Sequence, residues 1–143
     1  MPTYTVTVAN LSLSQQQKSE IAEAITTAHN TQTGAPRFFA QVLFLAANEG
    51  EHFVGGTVNQ EPQVYVHGLL RQGRSTEVKQ ALMSQMLDEI VRIAKITAED
   101  VWIYLQDIPA TQMIEFGRFL PAPGDEAEWE QEMTSEKRAR LPK

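Results

Sequence analysis

The same succession of a strand, a long helix and a strand occurs twice in this sequence, and the repetition limits the fold more than any other feature. In the first copy, residues 2–9 alternate between apolar and polar side chains, as a strand with one buried face does. The helix that follows should end near Gly34, because glycine is the usual residue after a helix. Residues 39–45 then form a compact apolar run typical of a strand, and residues 53–58 predict a short hairpin.

The second copy has the same order of elements. Residues 64–70 and 101–105 are apolar strand segments, with a helix predicted between them. The apolar residues of this helix recur three and four positions apart and form one stripe, at Val78, Leu82, Met86, Ile90 and Ile93. The copies are about sixty residues apart, which is too long for a solenoid repeat. We therefore expect an α/β fold, a duplicated β-α-β unit with two long helices on a four-stranded sheet.

The sequence after the second copy reads as an appendage. We expect one domain over residues 1–143, with repeats at about 2–60 and 61–120 and a C-terminal tail helix in 121–143. The tail is rich in acidic residues, which is typical of a solvated helix. Trp129 and Met133 lie four positions apart in it and could dock on a neighbouring subunit.

Composition excludes several classes of function. The chain has no cysteine, which excludes disulfides, thiolate metal sites and cysteine nucleophiles. Its 12 Lys and Arg against 18 Asp and Glu give a net charge of −6, which disfavours a nucleic-acid-binding surface. The sequence shows neither a signal peptide nor a membrane span, and its histidines lack metal-ligand spacing. We expect a cytoplasmic protein with no metal, no nucleic-acid partner and no membrane partner.

Pro2 is the most informative single residue. Initiator methionine is generally removed before a small residue, and removal here would leave a free secondary amine at the start of a strand. An α-amine has a pKa of roughly 7.7 to 8.0, so modest burial or a neighbouring charge can make it an acid or a base near neutral pH. A proline in second position is also common in proteins without any such role.

Arg71 and Arg74 flank a predicted turn between a strand and a helix. Gly73 lies between them, and Ser75 follows as a suitable N-cap. Two guanidinium groups at a positive helix N-terminus suit a small anion such as a carboxylate. Two arginines on a surface turn without any binding role would show the same spacing. The other basic cluster is in the tail, where we expect solvation or pairing with acids, at Lys137, Arg138 and Arg140.

Three further polar residues stand beside apolar elements. His29 lies at the margin of the first helix's apolar stripe and could hydrogen-bond a substrate oxygen or fill a structural role. Tyr104 lies in the last predicted strand and could be a core residue, whose hydroxyl needs a partner if it is buried. Glu115 lies between apolar pairs and could hold a water, or be part of a surface loop.

Together these residues resemble the tautomerase superfamily, and within it the cis-3-chloroacrylic acid dehalogenase branch. The resemblance runs from Pro2 to about Trp129 and is carried by four stretches: ITTAH (25–29), VHGLLRQGRS (66–75), VWIY (101–104) and PATQMIEFGRFLP (109–121). It implies a homotrimer without a cofactor, and a trimer fits apolar runs at 39–45 and 101–105 that look buried on both faces. The implied site consists of Pro2, His29, Arg71, Arg74, Tyr104 and Glu115.

The resemblance also implies roles for these residues. Arg71 and Arg74 would hold the carboxylate of a cis-3-haloacrylate and polarise its double bond. Glu115, oriented with Tyr104, would activate a water for attack at the β-carbon. His29 would bind a carboxylate oxygen, and protonated Pro2 would protonate the α-carbon. The halohydrin would then collapse to malonate semialdehyde, halide and a proton.

Two residues depart from the branch's pattern, and two other functions stay open. Leu70 stands where the pattern has histidine, which would make the pocket more apolar. Phe116 stands where the pattern has tyrosine, which would leave Glu115 less well anchored.

One alternative function is that of a keto–enol tautomerase in which neutral Pro2 is the base acting on a 2-hydroxydienoate or phenylpyruvate-like acid. The other is a catalytically silent trimeric protein that binds a carboxylate, which would follow if Met1 is retained and blocks the amine.

Overall fold

The computed structural model describes residues 2–142 and contains the strand–helix–strand succession twice. The first half consists of β1 (Thr3–Ala9), α1 (Gln15–Thr33) and β2 (Gln41–Ala46). A hairpin of β3 (Phe53–Val54) and β4 (Thr57–Val58) follows, at the position that the sequence predicts. The second half consists of β5 (Gln63–Arg71), α2 (Thr76–Ala94) and β6 (Val101–Ile108).

The four long strands form one mixed sheet in the order β2-β1-β5-β6. Within each half the two strands are parallel, and β1 and β5 join the halves by antiparallel pairing. This pairing places the start of β1 beside the end of β5, with Thr3 opposite Leu69 and Tyr4 opposite Gly68. Residues far apart in sequence, near positions 2 and 71, are therefore brought together at one end of the sheet.

Local signals set the ends of both long helices. The Ser14 hydroxyl accepts a hydrogen bond from the Gln17 backbone N–H, and the Gln17 side chain accepts one from the Ser14 backbone N–H, which starts α1 with a capping box. Gly34, at φ 71°, ends α1 in the left-handed conformation that glycine adopts at low cost. Ser75 caps α2 with its hydroxyl, which accepts a hydrogen bond from the Val78 N–H, without a reciprocal side-chain bond.

The main core lies between one face of the sheet and the two long helices. Tyr4 and Val6 from β1 are fully buried there, as are Ile21 and Ile25 from α1. Four of the five predicted stripe residues of α2 are buried, and Val78 is only partly so. Burial of each large apolar side chain contributes roughly 1.5 to 3 kcal/mol, so this layer holds both helices on the sheet.

Within residues 2–142 no helix packs on the other face of the sheet. Leu45 and Trp102 point to this face and are 58% and 42% exposed. In the single chain only one face of residues 41–45 and 101–105 is covered, so their burial on both faces stays a prediction that requires another copy. Phe39 is also not in a strand: it ends a short 3-10 turn, Arg37–Phe39, that Pro36 begins.

The tail differs from its prediction. A hairpin of β7 (Ile114–Glu115) and β8 (Arg118–Phe119) is followed by two short helices, α3 (Glu126–Gln131) and α4 (Ser135–Ala139), where the sequence predicts one. The Thr134 hydroxyl accepts a hydrogen bond from the Lys137 N–H and so starts a new helix.

The tail's apolar residues also pack within their own chain. Trp129 and Met133 are only 6% and 5% exposed and form a second core cluster with Phe39 and Leu120. The prediction that they dock on a neighbouring subunit is therefore wrong. Arg118 lies over the Trp129 ring, with its guanidinium carbon 5.1 Å from the ring centroid, and donates to the Trp129 carbonyl oxygen.

No helix within residues 2–142 combines the length and the apolar character that crossing a bilayer requires.

Candidate active site

A buried pair of polar side chains, Tyr4 and His29, lies under the start of β1. The Tyr4 hydroxyl and His29 Nδ1 are 2.8 Å apart, and His29 is 2% exposed. The Tyr4 ring can occupy this place because Gly68 on β5 has no side chain: a Cβ there would lie 2.8 Å from Tyr4 Cε1. The pair therefore depends on the antiparallel register between the two halves.

Neither member of this pair carries a charge at neutral pH. Burial, and after it the positive charge of Arg74, lower the pKa of His29 to about 3. Burial raises the pKa of Tyr4, an effect that Arg74 only partly offsets, so the phenol stays protonated. His29 Nε2 is buried and has no hydrogen-bond partner among residues 2–142. The site thus presents one unused nitrogen of a neutral imidazole.

Arg74 is half-buried and lines a cleft of about 530 Å³. The cleft lies between the end of α1, the turn that carries Arg74, and the start of the tail, which contributes Pro123 and Glu126. Arg74 Nη1 donates to the Arg71 carbonyl oxygen at 3.2 Å. Burial and the neighbouring Arg71 lower the pKa of Arg74, but a guanidinium stays protonated at neutral pH. The cleft has the size for a small carboxylate, and Arg74 supplies a cation on a wall that also carries Glu126 and Glu130.

Arg71 has a different environment, although it is only three positions away. Its side chain is fully buried and forms an ion pair with Glu126, and its Nη1 donates to the Pro121 carbonyl oxygen at 2.6 Å. Burial raises the pKa of Glu126, but the hydrogen bond from Arg71, hydrogen bonds from backbone N–H groups and the charge of Arg71 together outweigh this, and the pKa of Glu126 is lowered overall. In this structure both terminal nitrogens of Arg71 are therefore directed to the chain's own tail, and its buried Nε has no hydrogen-bond partner among residues 2–142.

The tail packs closely against the arginine turn. Gly73 has φ 119°, a conformation that favours glycine, and a Cβ there would lie 2.7 Å from Pro123 Cγ. Glycine between the two arginines is therefore needed both for the backbone conformation and for the close approach of Pro123. This contact and the Arg71–Glu126 pair hold the tail over the end of β5.

Glu115 lines a second cleft of about 510 Å³ at the start of β1. Thr3 and Gln41 lie on its wall, and Pro2, the residue before Thr3, is buried with its carbonyl oxygen accepting from the Gln41 N–H at 3.0 Å. Since alternate residues of a strand share a face, Pro2 lies on the same side as Tyr4. Pro2 thus shares a sheet face with Tyr4, and its neighbour Thr3 lines the cleft that Glu115 lines.

Tyr104 is on the opposite face of the sheet from His29. It is 56% exposed, and its ring packs edge-on against Tyr65 at a centroid distance of 5.3 Å. A core role for Tyr104 is therefore wrong. Within one chain, the structure does not bring Tyr104 to the residues around His29.

The two residues that depart from the branch's pattern have different surroundings. Leu70 is 1% exposed and belongs to the same buried cluster as Tyr4, and its effect on the pocket stays a prediction. Phe116 has φ 54° in the β7–β8 turn and makes edge-on ring contacts with Phe38, Phe39 and Trp129. Phe116 thus joins the Glu115 hairpin to the tail's aromatic cluster.

Sequence reasoning missed Tyr4 and Glu126. Tyr4 is one of the apolar residues that alternate with polar ones in the first strand, as buried residues do. The only signal for a further role is that Tyr4 lies two positions after Pro2 and so shares its face of the strand. Glu126 is one acid among several in the tail, and its pairing with Arg71, 55 positions away, has no local signal. Within the described part of the chain, no group of three His, Asp or Glu side chains could hold a metal ion.

Comparison with known proteins identifies the family. A sequence model of the Tautomerase_3 family, described as "Putative oxalocrotonate tautomerase enzyme", matches residues 1–136. The chain belongs to this family. The resemblance found in its motifs to the tautomerase superfamily is thereby confirmed.

Solved structures show the same fold. N1, described as a member of the cis-3-chloroacrylic acid dehalogenase family, is 29% identical with a TM-score of 0.87, over 96% of this chain and 97% of its own. Native Ps01740 is also 29% identical, with a TM-score of 0.74 over 79% of this chain and 99% of its own. A fused 4-OT solved as a symmetric trimer is 21% identical, with a TM-score of 0.76 over 85% and 97% of the two chains. A comparison with curated proteins gives no match.

Proposed function

We propose that this protein is a cofactor-independent enzyme that adds water to small unsaturated carboxylates of the cis-3-haloacrylate type and releases halide. The observation that carries the proposal is the neutral, buried His29, with an unused Nε2, close to the Arg74 cation of the first cleft. One cation and one neutral donor suit a single carboxylate group. The likeness to N1 over nearly the whole of both chains supports the dehalogenase branch.

Substrate binding begins at the arginine turn. Arg74 holds the substrate carboxylate, and His29 donates to one of its oxygens. The buried Arg71 adds positive charge next to Arg74, although Glu126 offsets part of that charge. Electron density drawn toward the carboxylate makes the β-carbon of the double bond electrophilic.

The chemical step needs one base and one acid. Glu115 takes a proton from water, and the oxygen attacks the β-carbon while the protonated amine of Pro2 gives a proton to the α-carbon. The resulting halohydrin loses halide from the β-carbon and a proton from its hydroxyl, which gives malonate semialdehyde. This role of Pro2 requires removal of Met1, which lies outside the described residues.

A homotrimer would complete the site. The outer sheet face bears the exposed side chains of Leu45, Trp102 and Tyr104, which another copy of the chain could cover. The fused 4-OT of the same fold is a symmetric trimer in its structure. We propose that the trimer brings Tyr104 of a neighbouring copy to Glu115, where its hydroxyl orients the water.

A keto–enol tautomerase is the second candidate, and a specific feature favours it. Burial and the positive charge of Arg74 lower the pKa of His29, and the same surroundings would favour a neutral amine at Pro2. A neutral Pro2 would act as a base on a 2-hydroxydienoate or a phenylpyruvate-like acid held by the same arginine. The family description as an oxalocrotonate tautomerase is in keeping with this activity.

A panel of substrates tests the proposal. Protein whose N-terminal residue is shown by mass spectrometry to be Pro2 is assayed with cis- and trans-3-chloroacrylate, propiolate and phenylpyruvate. We expect chloride release from the cis isomer above all, and its loss in Pro2→Ala, Arg74→Ala and Glu115→Gln, with Glu128→Gln on the exposed face of α3 as the matched control.

Other outcomes of the panel point to other functions. Chloride release retained in Pro2→Ala would refute the acid role of the amine. Turnover of phenylpyruvate alone would favour the tautomerase. Native protein that retains Met1 and binds carboxylates without turnover would be a binding protein.

A further inference from the structure

We propose that Tyr4 is a positioning residue that fixes His29 as the Nε2–H tautomer, so that His29 donates a hydrogen bond to the ligand. The inference rests on the proposed function for the carboxylate nature of that ligand. The tautomer itself follows from the geometry of the pair.

The direction of the hydrogen bond between Tyr4 and His29 can be argued from their surroundings. A neutral imidazole has one N–H donor and one bare nitrogen acceptor, and a phenol has a single proton to donate. The one partner recorded for the Tyr4 hydroxyl among residues 2–142 is His29 Nδ1, at 2.8 Å. If Nδ1 carried the proton, both the buried Tyr4 O–H and the bare Nε2 would lack a partner, whereas the Nε2–H tautomer leaves only one of these groups without a partner, at a lower cost in free energy. Tyr4 therefore donates to Nδ1, and the ring proton is on Nε2.

Both groups keep this arrangement over a wide pH range. The pKa of Tyr4 is raised by burial, so it does not lose its proton near neutrality. The pKa of His29 is lowered to about 3 by burial and by Arg74, so the ring does not gain a second proton. Burial, together with the charge of Arg74, therefore excludes imidazolium and leaves a neutral N–H donor.

The Nε2–H group is a binding group that the protein does not satisfy itself. It is buried and has no partner among the described residues, and a buried donor without an acceptor is rare in folded proteins. Such a group gains an acceptor when a ligand oxygen enters. Since Arg74 attracts anions to the same region, a carboxylate oxygen is the acceptor that the charges select.

Tyr4 also explains why the donor is held in one orientation. Its ring is packed edge-to-face on the imidazole, with centroids 5.9 Å apart, and it is itself fully buried. The Thr33 hydroxyl donates to the His29 backbone carbonyl at 2.7 Å, which fixes the main chain but not the ring. Removing the Tyr4 hydroxyl would therefore release the tautomer and leave the backbone position in place.

The test combines nitrogen NMR of the imidazole with kinetics of Tyr4→Phe. In the wild type, the two ring nitrogens of His29 should show the Nε2–H pattern, and adding acrylate, an unhalogenated carboxylate, should shift the Nε2 proton. In Tyr4→Phe we expect a mixture of both tautomers. We also expect kcat/KM for cis-3-chloroacrylate to fall about three- to tenfold, the range for loss of one ordinary hydrogen bond.

Thr33→Val is the matched control. It removes a hydrogen bond to the backbone of His29 by an isosteric change, so its midpoint of urea unfolding should fall about as much as that of Tyr4→Phe. The tautomer of His29 should stay as in the wild type. A purely structural role for Tyr4 predicts equal tautomer patterns in the two variants.

Each result supports or overturns the inference. An Nδ1–H pattern in the wild type, an unchanged tautomer in Tyr4→Phe, or an Nε2 proton that acrylate does not move would overturn it. If the wild type turns over no substrate of the panel, the proposed function fails. The tautomer pattern and the acrylate shift then still decide whether Tyr4 positions His29 for a carboxylate.

Discussion

In the first half of the molecule, β1 and α1 bury a tyrosine and a histidine that carry no charge at neutral pH. In the second half, the end of β5 and the turn before α2 hold two arginines, one fully buried and one half-buried. The scaffold is the same, since each half is a parallel β-α-β unit with a capped helix of 19 residues. The antiparallel pairing of β1 with β5 then brings the neutral pair and the cations to one end of the sheet.

The difference shows how a duplicated fold can supply two kinds of polar group to one site. A neutral donor can be buried without a partner at modest cost, whereas a buried cation needs a counter-charge. Arg71 has that counter-charge in Glu126. Arg74 is half-buried on the wall of a cleft, so solvent can stabilise its charge without a paired carboxylate. The predictions below test this contrast.

The largest expected effect is on the buried charge of the second half. Arg71→Met removes a fully buried guanidinium and leaves the partly buried Glu126 without its partner, so it should lower the free energy of unfolding by about 1.5 to 3 kcal/mol, measured by urea denaturation. The double variant Arg71→Met with Glu126→Leu should recover most of that loss, because both charges are gone. A single variant as stable as the wild type would show that Arg71 and Glu126 are not paired in the protein.

The half-buried arginine should behave in the opposite way. Arg74→Met should change the free energy of unfolding by no more than about 1 kcal/mol, since Arg74 has no buried ion pair. Its kcat/KM for cis-3-chloroacrylate should fall about 10- to 100-fold, because a charged hydrogen bond to the substrate is lost. Comparable activity in the variant and the wild type would mean that Arg74 does not bind the carboxylate.

The neutral pair of the first half predicts a pH dependence of stability. The pKa of His29 is lowered to about 3 in the folded protein, while an unfolded histidine titrates near 6.5. Between these values the unfolded chain binds a proton that the folded chain excludes, so the free energy of unfolding should fall by about 1.4 kcal/mol per pH unit as pH is lowered.

The variant His29→Gln should remove this part of the pH dependence. His67→Gln, on the other face of the sheet, is the matched control and should retain it. Urea denaturation at a series of pH values measures both. A wild-type slope equal to that of His29→Gln would contradict the burial of a neutral imidazole.

The smallest effects are expected at solvent-exposed ion pairs, one in each half. Arg37 pairs with Glu23 at 2.7 Å, and Lys79 with Asp107 at 2.8 Å. Glu23→Gln and Asp107→Asn should each lower the free energy of unfolding by less than about 1 kcal/mol. A clearly larger loss at either position would show that the halves also differ in their surface charges.

The sequence predicts the repeated elements well because their signals are local. Strand alternation in residues 2–9, the apolar stripe of α2 and the glycine after α1 all act through neighbouring residues. Phe39 is mispredicted since Pro36 starts a short turn that extends through an apolar run. The tail is mispredicted because burial of Trp129 against Phe39 depends on contacts distant in sequence.

The candidate site is predictable in its residue types but not in its contacts. Motifs select His29 and both arginines, and the structure adds what they touch: Tyr4 for His29 and Glu126 for Arg71. Both contacts join separate elements and leave no pattern in the sequence. These contacts alone indicate which of the two arginines can reach a ligand.

The proposal that this chain adds water to an unsaturated carboxylate depends most directly on the protonation state of Pro2. The measurement is a titration of the Pro2 amine in protein that lacks Met1, followed by NMR of nitrogen-labelled proline, with Pro2→Ala to assign the signal. The account predicts an amine that stays protonated above neutrality, with a pKa of about 8 or higher, as an acid requires. An amine that loses its proton below about pH 7 would contradict it and favour the base of a tautomerase.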